Sequence, residues 1–142
     1  EVLLATITQG RNGVMPALGA AIDARTAGDI AQYVRSLSGL AHDQIRVLRG
    51  KSEYMNTCAA CHGAEGKGNK ALGAPNLTDD IWLYGSSEAT IVHSILNGRN
   101  NRMPAQEQTL TSEQIRLVAA WVWGLSKGVD VTSATVTSAR AK

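Results

Sequence analysis

The sequence predicts an all-α protein with long irregular connections. Apolar residues recur at helical spacing in several separate segments. The stretches between them are rich in Gly, Asn and Pro. One block of sequence also occurs twice, each time followed by a helical pattern. The only aromatics are Tyr33, Tyr54, Tyr84, Trp82, Trp121 and Trp123, because phenylalanine is absent. That is thin packing for a core of this size and leaves room for a large apolar group that is not protein.

Each helix has a local justification. Thr26 is expected to open a helix reaching about Leu37. Residues 43–57 form a second, with Ile45, Leu48 and Tyr54 on or near one face. Residues 87–97, "SEATIVHSILN", form a third, stopped by Gly98. Thr111 with Gln114 is a capping-box pair opening a fourth, which runs to about Leu125. Loops are expected at 63–80 and 98–108. The last segment, 129–142, is small and polar with no helical face and is expected to be a loose tail.

The repeat sets "ITQGRNGVMPA" (7–17) on "ILNGRNNRMPA" (95–105), and "IAQYVRSLSG" (30–39) on "VAAWVWGLSK" (118–127). Met15 then matches Met103, Tyr33 matches Trp121 and Leu37 matches Leu125. The expected organisation is a partial first domain at 1–40, a complete domain at 41–128 and the tail at 129–142. The counterpart of residues 42–94 would fall before residue 1, so the chain reads as the C-terminal part of a longer two-domain polypeptide.

Charge narrows the partners. The net charge is +2 and Lys and Arg are not clustered, which argues against nucleic acid. The longest apolar run, "LVAAWVWGL" (117–125), is about half of a membrane span, so no membrane contact is expected from this segment itself. "EVLLATITQG" lacks the basic region of a signal peptide, which places any export signal or anchor upstream of Glu1 or in another subunit.

The chemistry concentrates in "NTCAACHGAEGKG" (56–68), where both cysteines, Cys58 and Cys61, precede His62. C-x-x-C-H is the attachment signature of c-type haem. One helical turn presents both sulfurs to one porphyrin edge for thioether formation, and the histidine supplies the proximal iron ligand. A thiol redox pair would need a βαβ context that the sequence lacks. A zinc site would make awkward co-ligands of Cys61 and His62 and has no second cysteine pair to draw on. The candidates for the sixth iron position are Met15, Met55, Met103, His42 and His93. Met55 lies one turn before Cys58, His42 reads as a linker residue and His93 sits within a helix. Met103 lies in a loop far enough along to wrap round the haem, with Pro104 extending its backbone, and is the expected ligand. A second shell is expected from the Pro75 carbonyl on His62, and from Trp82, Arg99 or Asn100 on the propionates. Gly50 and Tyr54 are expected to cross the terminal helix near Trp121.

"CAACHGAEGKGNKALGAPNLTDDIWLYG", with "ILNGRNNRMPA" and the "VAAWVWGLS" helix, resembles a class I cytochrome c domain. More closely, residues 1–128 are similar to the diheme, membrane-anchored subunit of cbb-type cytochrome c oxidases, with "GAPNLTDDIWLYG" the most diagnostic run. The resemblance implies the class I cytochrome c fold preceded by a partial second copy. It implies one covalently bound haem c at Cys58, Cys61, His62 and Met103, while Met15 matches the axial methionine of the other domain, with no haem of its own expected here. It implies electron transfer, not catalysis, on the periplasmic side of the bacterial inner membrane. The implied partners are a donor cytochrome c and the catalytic and monohaem subunits of the oxidase.

Two other functions compete. A haem peroxidase or nitrite-reducing domain would need an exchangeable sixth ligand. A sensing or docking module would use Met103 as a displaceable ligand and residues 1–40 as an arm. The apolar face of Ile30, Tyr33, Val34 and Leu37 is expected to pack on a second chain, by self-association, or on the chain's own haem domain, or else to be poorly ordered.

Overall fold

The structure is a computed structural model, and it describes residues 1–128. The expected tail at 129–142 lies outside the described residues. The elements in chain order are α1 (Val2–Gln9), β1 (Arg11–Met15), α2 (Ala24–Leu37), α3 (Gln44–Thr57), α4 (Ala59–His62), α5 (Glu88–Asn97), β2 (Arg99–Met103) and α6 (Ser112–Ser126). β1 and β2 pair in a two-stranded sheet. No described helix is long and apolar enough to cross a membrane.

Caps set the helix starts. Asp43 accepts from the Ile45 and Arg46 amides at 2.9 and 3.0 Å, and Ser87 Oγ accepts from Thr90 N at 3.2 Å. Thr111 and Gln114 form the reciprocal capping box of α6. α2 begins at Ala24 instead of Thr26, because Asp23 Oδ1 accepts from Thr26 N at 2.7 Å and thereby becomes the cap. Helix α1 and both strands were not expected. The strands fall in segments whose polar, Gly- and Asn-rich composition carries no strand pattern.

The described residues fold as two compact units, Asn12–Asn101, and Glu1–Arg11 with residues 102–128. They do not follow the 1–40 and 41–128 partition; each takes one part from each copy of the repeat.

In the larger unit α2 lies across α3 and α5. Ala27, Ile30, Ala31, Tyr33 and Val34 of α2 join Tyr54, Cys58, Ile91 and Ile95 in one buried cluster. Ile30 and Tyr54 are fully buried, each stabilising by about 1.5–3 kcal/mol through removal from water. The Tyr33 and Tyr54 rings meet at 5.0 Å between centroids. The apolar face of 30–37 is therefore covered by the chain's own larger unit. The crossing point is Gly50, where a Cβ would stand 1.9 Å from the Asp29 carbonyl oxygen. The helix that crosses Gly50 is thus α2, and not the Trp121 helix expected from sequence. This crossing also turns α3. Val47, Gly50 and Tyr54 face inward, whereas Ile45 and Leu48, expected on the inner face, are 69% and 74% exposed.

A polar network fastens the same crossing. Asp29, with only 7% of its side chain exposed, receives Arg46 Nε at 2.9 Å and Arg49 Nε at 2.7 Å. Arg46 also donates to Glu88 at 2.7 Å, and Gln32 donates to Glu88 at 2.5 Å. Hydrogen bonding from Arg49, then from Arg46, holds the Asp29 carboxyl below its usual value against the opposing effect of burial.

In the smaller unit α1 packs on α6 through Ile7, Ile115 and Ala119, with Leu3 and Leu110 at the margin. Trp121 and Trp123 of α6 are half exposed.

Two outcomes are expected. Gly50→Ala should lower the free energy of unfolding by about 2 kcal/mol or more in urea titration, since backbone and not a yielding side chain opposes the new methyl. A depressed carboxylate pKa contributes stability that is present above the unfolded value and lost as pH falls through the folded one. Asp29→Asn should therefore flatten the acid limb of stability against pH and cost about 1–2 kcal/mol at neutral pH. That is less than a fully buried pair because Arg49 is half exposed.

Candidate functional site

The Cys58–His62 segment is one helical turn. The Cys58 carbonyl accepts from Cys61 N at 3.1 Å and His62 N at 2.9 Å. Tyr54 fixes the turn from the preceding helix, its hydroxyl donating to the Gly63 carbonyl at 2.8 Å. Burial, then the Cys58 sulfur, push the Tyr54 hydroxyl up to about 12, so it stays a donor across the neutral range. Cys58 is buried and Cys61 exposed, and no disulfide joins them. Burial, then the Cys61 sulfur, raise the Cys58 thiol to about 11. A thiol held neutral in this way is a poor partner for disulfide exchange, which needs the thiolate. Among the described residues no group of three or more His, Cys, Asp and Glu side chains converges in a metal-holding cluster, so the zinc reading has no further donors to use.

His62 is buried, and its Nδ1 lies 3.1 Å from the Pro75 carbonyl oxygen. A carbonyl can only accept, so Nδ1 carries the hydrogen and Nε2 keeps the lone pair. The loop reaches this position because the chain closes tightly at Gly68. Gly68 N donates to the His62 carbonyl at 2.8 Å, and Asn69 N to the Ala74 carbonyl at 2.9 Å. Gly68 has φ of 79°, and a Cβ there would lie 2.6 Å from both the Ala74 oxygen and the Pro75 carbonyl carbon.

Trp82 packs against the buried cluster, and its Nε1 is buried without a hydrogen-bond partner among the described residues. Arg99 stacks 3.9 Å over the Tyr84 ring and donates through Nε to Ser94 Oγ at 2.9 Å. Asn100 is exposed, as are His42 and His93. Met55 is 45% exposed. Of the two repeat methionines, Met15 packs against the cluster that contains Cys58, whereas Met103 belongs to the other unit and is 40% exposed.

Residues 46–122 match the family described as cytochrome C oxidase, cbb3-type, subunit III. The chain belongs to this family. It is 46% identical over 129 residues to the cbb3-type cytochrome c oxidase subunit CcoP of Rubrivivax gelatinosus, covering 90% of this chain and 42% of that protein. It is 43% identical over 121 residues to the subunit FixP of Azorhizobium caulinodans, covering 84% of this chain and 41% of that one. A FixP of Bradyrhizobium sp. strain ORS 278 is 49% identical over 100 residues, or 70% and 34% of the two chains. The chain thus spans about two-fifths of the length of the relatives it matches. The mainly helical structure is consistent with the class I cytochrome c fold, and the family implies haem c.

The donor set fits that group. Two thiols lie one turn apart, an imidazole has its free nitrogen fixed by a carbonyl on the other, and a buried indole N–H lacks an acceptor. Cys58 and Cys61 would hold haem c by thioethers and His62 Nε2 would hold its iron, with Trp82 Nε1 free to meet a propionate.

Sequence reasoning missed the hydrogen bond from Tyr54 to Gly63 and the Asp29 network. Neither has a local signature, because each joins residues that only the fold brings together. Tyr54→Phe should cost about 1 kcal/mol in chemical denaturation, the net worth of one hydrogen bond, while covalent haem content by mass stays unchanged.

Proposed function

We propose that the larger unit carries one haem c and relays single electrons within a cbb3-type oxidase, from a donor cytochrome c towards the catalytic haem–copper subunit. The observation that carries this reading is the His62 tautomer: Nδ1 donates to the Pro75 carbonyl, which leaves the lone pair on Nε2 of the residue that follows Cys61. When bound, the haem supplies a one-electron couple that the polypeptide lacks. The chain's own residues would attach it through Cys58 and Cys61 and hold the His62 imidazole in one tautomer.

The sixth ligand in this reading is a methionine thioether from one of the two M-P-A blocks, which offer Met103 and Met15. Thioether sulfur favours reduced iron and raises the potential, and filling both axial positions leaves no place for a substrate. The function is therefore transfer and not catalysis. The catalytic and monohaem subunits are the partners, and the site of action is the periplasmic side of the inner membrane. This assignment rests on the relatives being named as oxidase subunits.

The test is intact mass combined with optical spectroscopy of protein matured with its haem. One covalent haem, no free thiol, a sharp reduced α-band and a sulfur-to-iron band are expected. Free thiols at Cys58 and Cys61, or rapid carbon monoxide binding to the reduced resting protein, would overturn the proposal.

A further inference from the structure

The loop that leads into α5 carries an apolar surface that neither the core nor the attachment site uses. Ile81 is 79% and Leu83 78% exposed, the two most exposed large apolar side chains among the described residues, and Tyr84 beside them is 46% exposed. Trp82, between them, packs instead against the buried cluster that contains Cys58. The loop is tied along its length. Asp79 Oδ1 accepts from Ile81 N at 3.1 Å, Gly85 N donates to the Trp82 carbonyl at 3.3 Å, and Arg35 donates to the Ser86 carbonyl. The Tyr84 hydroxyl bonds Asn101, and its ring lies under the Arg99 guanidinium. The fold therefore holds three large apolar side chains in water within four residues. Single exposed apolar residues need no explanation, but a fixed group of them marks a contact surface.

Three features say what covers it. The patch is small: three side chains fall far short of the about 1,200 Å² that a stable interface buries, which suits a transient encounter and not a permanent subunit contact or a dimer. It is preceded in the loop by Asp79 and Asp80, neither of which forms an ion pair among the described residues. The cations bonded to the loop sit at its two ends, Lys67 Nζ on Thr78 Oγ1 at 3.0 Å and Arg99 on Tyr84. Finally, Trp82 alone separates Ile81 and Leu83 along the chain, and it packs on the cluster of Cys58, where the proposed haem attaches.

We propose that Ile81, Leu83 and Tyr84, with Asp80 at their edge, are the docking surface for a transient electron-donor protein that presents an apolar patch rimmed by lysine or arginine. The inference rests on the proposed electron-transfer function and names the surface through which the electron enters. The apolar side chains supply the contact, and Asp80 orients the partner.

The probe is a basic class I cytochrome c in which zinc porphyrin replaces haem. Its photo-excited state gives one electron to the oxidised 142-residue holoprotein, and the quenching of that state reads the second-order rate. Ile81→Ser combined with Leu83→Ser should slow quenching about tenfold, because the rate follows the population of the encounter complex. The absorption spectrum, the potential and the rate of reduction by ascorbate should stay at their wild-type values. Asp80→Lys should slow quenching several-fold at low salt, with the difference lost at about 1 M salt, where screening acts within about 3 Å. Unchanged quenching in either variant would overturn the inference. Equal slowing with ascorbate would also overturn it, by making Ile81 and Leu83 part of the haem packing. So would a wild-type dimer that the double variant dissolves in sedimentation, by making a second copy the occupant. Each of these results leaves the haem and its proposed function standing, whereas wild-type protein that takes up no haem would sink the function itself.

Discussion

The larger unit depends on the close crossing of α2 over α3 at Gly50. The Asp29 carbonyl occupies the volume that any side chain at position 50 would need. That approach brings Ile30, Tyr33 and Val34 onto Tyr54 and Cys58, and it brings Asp29 within reach of two arginines on α3. Apolar burial supplies most of the stabilisation, as it does in domains generally. The ion pairs contribute less, because their arginines remain partly in water. They supply selectivity instead: an apolar helix face accepts many partners of similar shape, whereas a nearly buried carboxylate accepts only one that brings donors.

The attachment turn is held from two sides. Tyr54 grips Gly63 just beyond it, and the Pro75 loop grips the His62 ring. The ring is thus fixed in plane and tautomer by backbone atoms, which do not titrate. Such a carbonyl partner orients an imidazole ligand and fixes its tautomer.

The arrangement of the units has a consequence for reading repeats. Two copies of one supersecondary unit carry the same backbone signals, and in the larger unit α5 is bonded by the segment after Met15, through Leu18 N to the Ile95 carbonyl and Gly19 N to the Leu96 carbonyl. Side chains at a few exposed-looking positions then fasten that closure. Asp29 and Gln32 look like solvated polar residues in the sequence, yet they are 5% and 6% exposed in the fold.

What the sequence determined by itself is local. The caps at Asp43, Ser87 and Thr111 fix helix starts because each side chain bonds amides within three residues, and Gly98 ends α5 where a positive φ is required. Cys58, Cys61 and His62 share one turn through local backbone bonds, the Cys58 carbonyl accepting from amides three and four residues on. What the tertiary structure decided is which helix closes over α3: α2, packed at Gly50 and fastened through Asp29. The local signals at Met15 and Met103 are nearly identical, and the choice rests on contacts from Asp29, Gln32 and Arg35 to residues distant in the chain. Those contacts exist only once the helices cross.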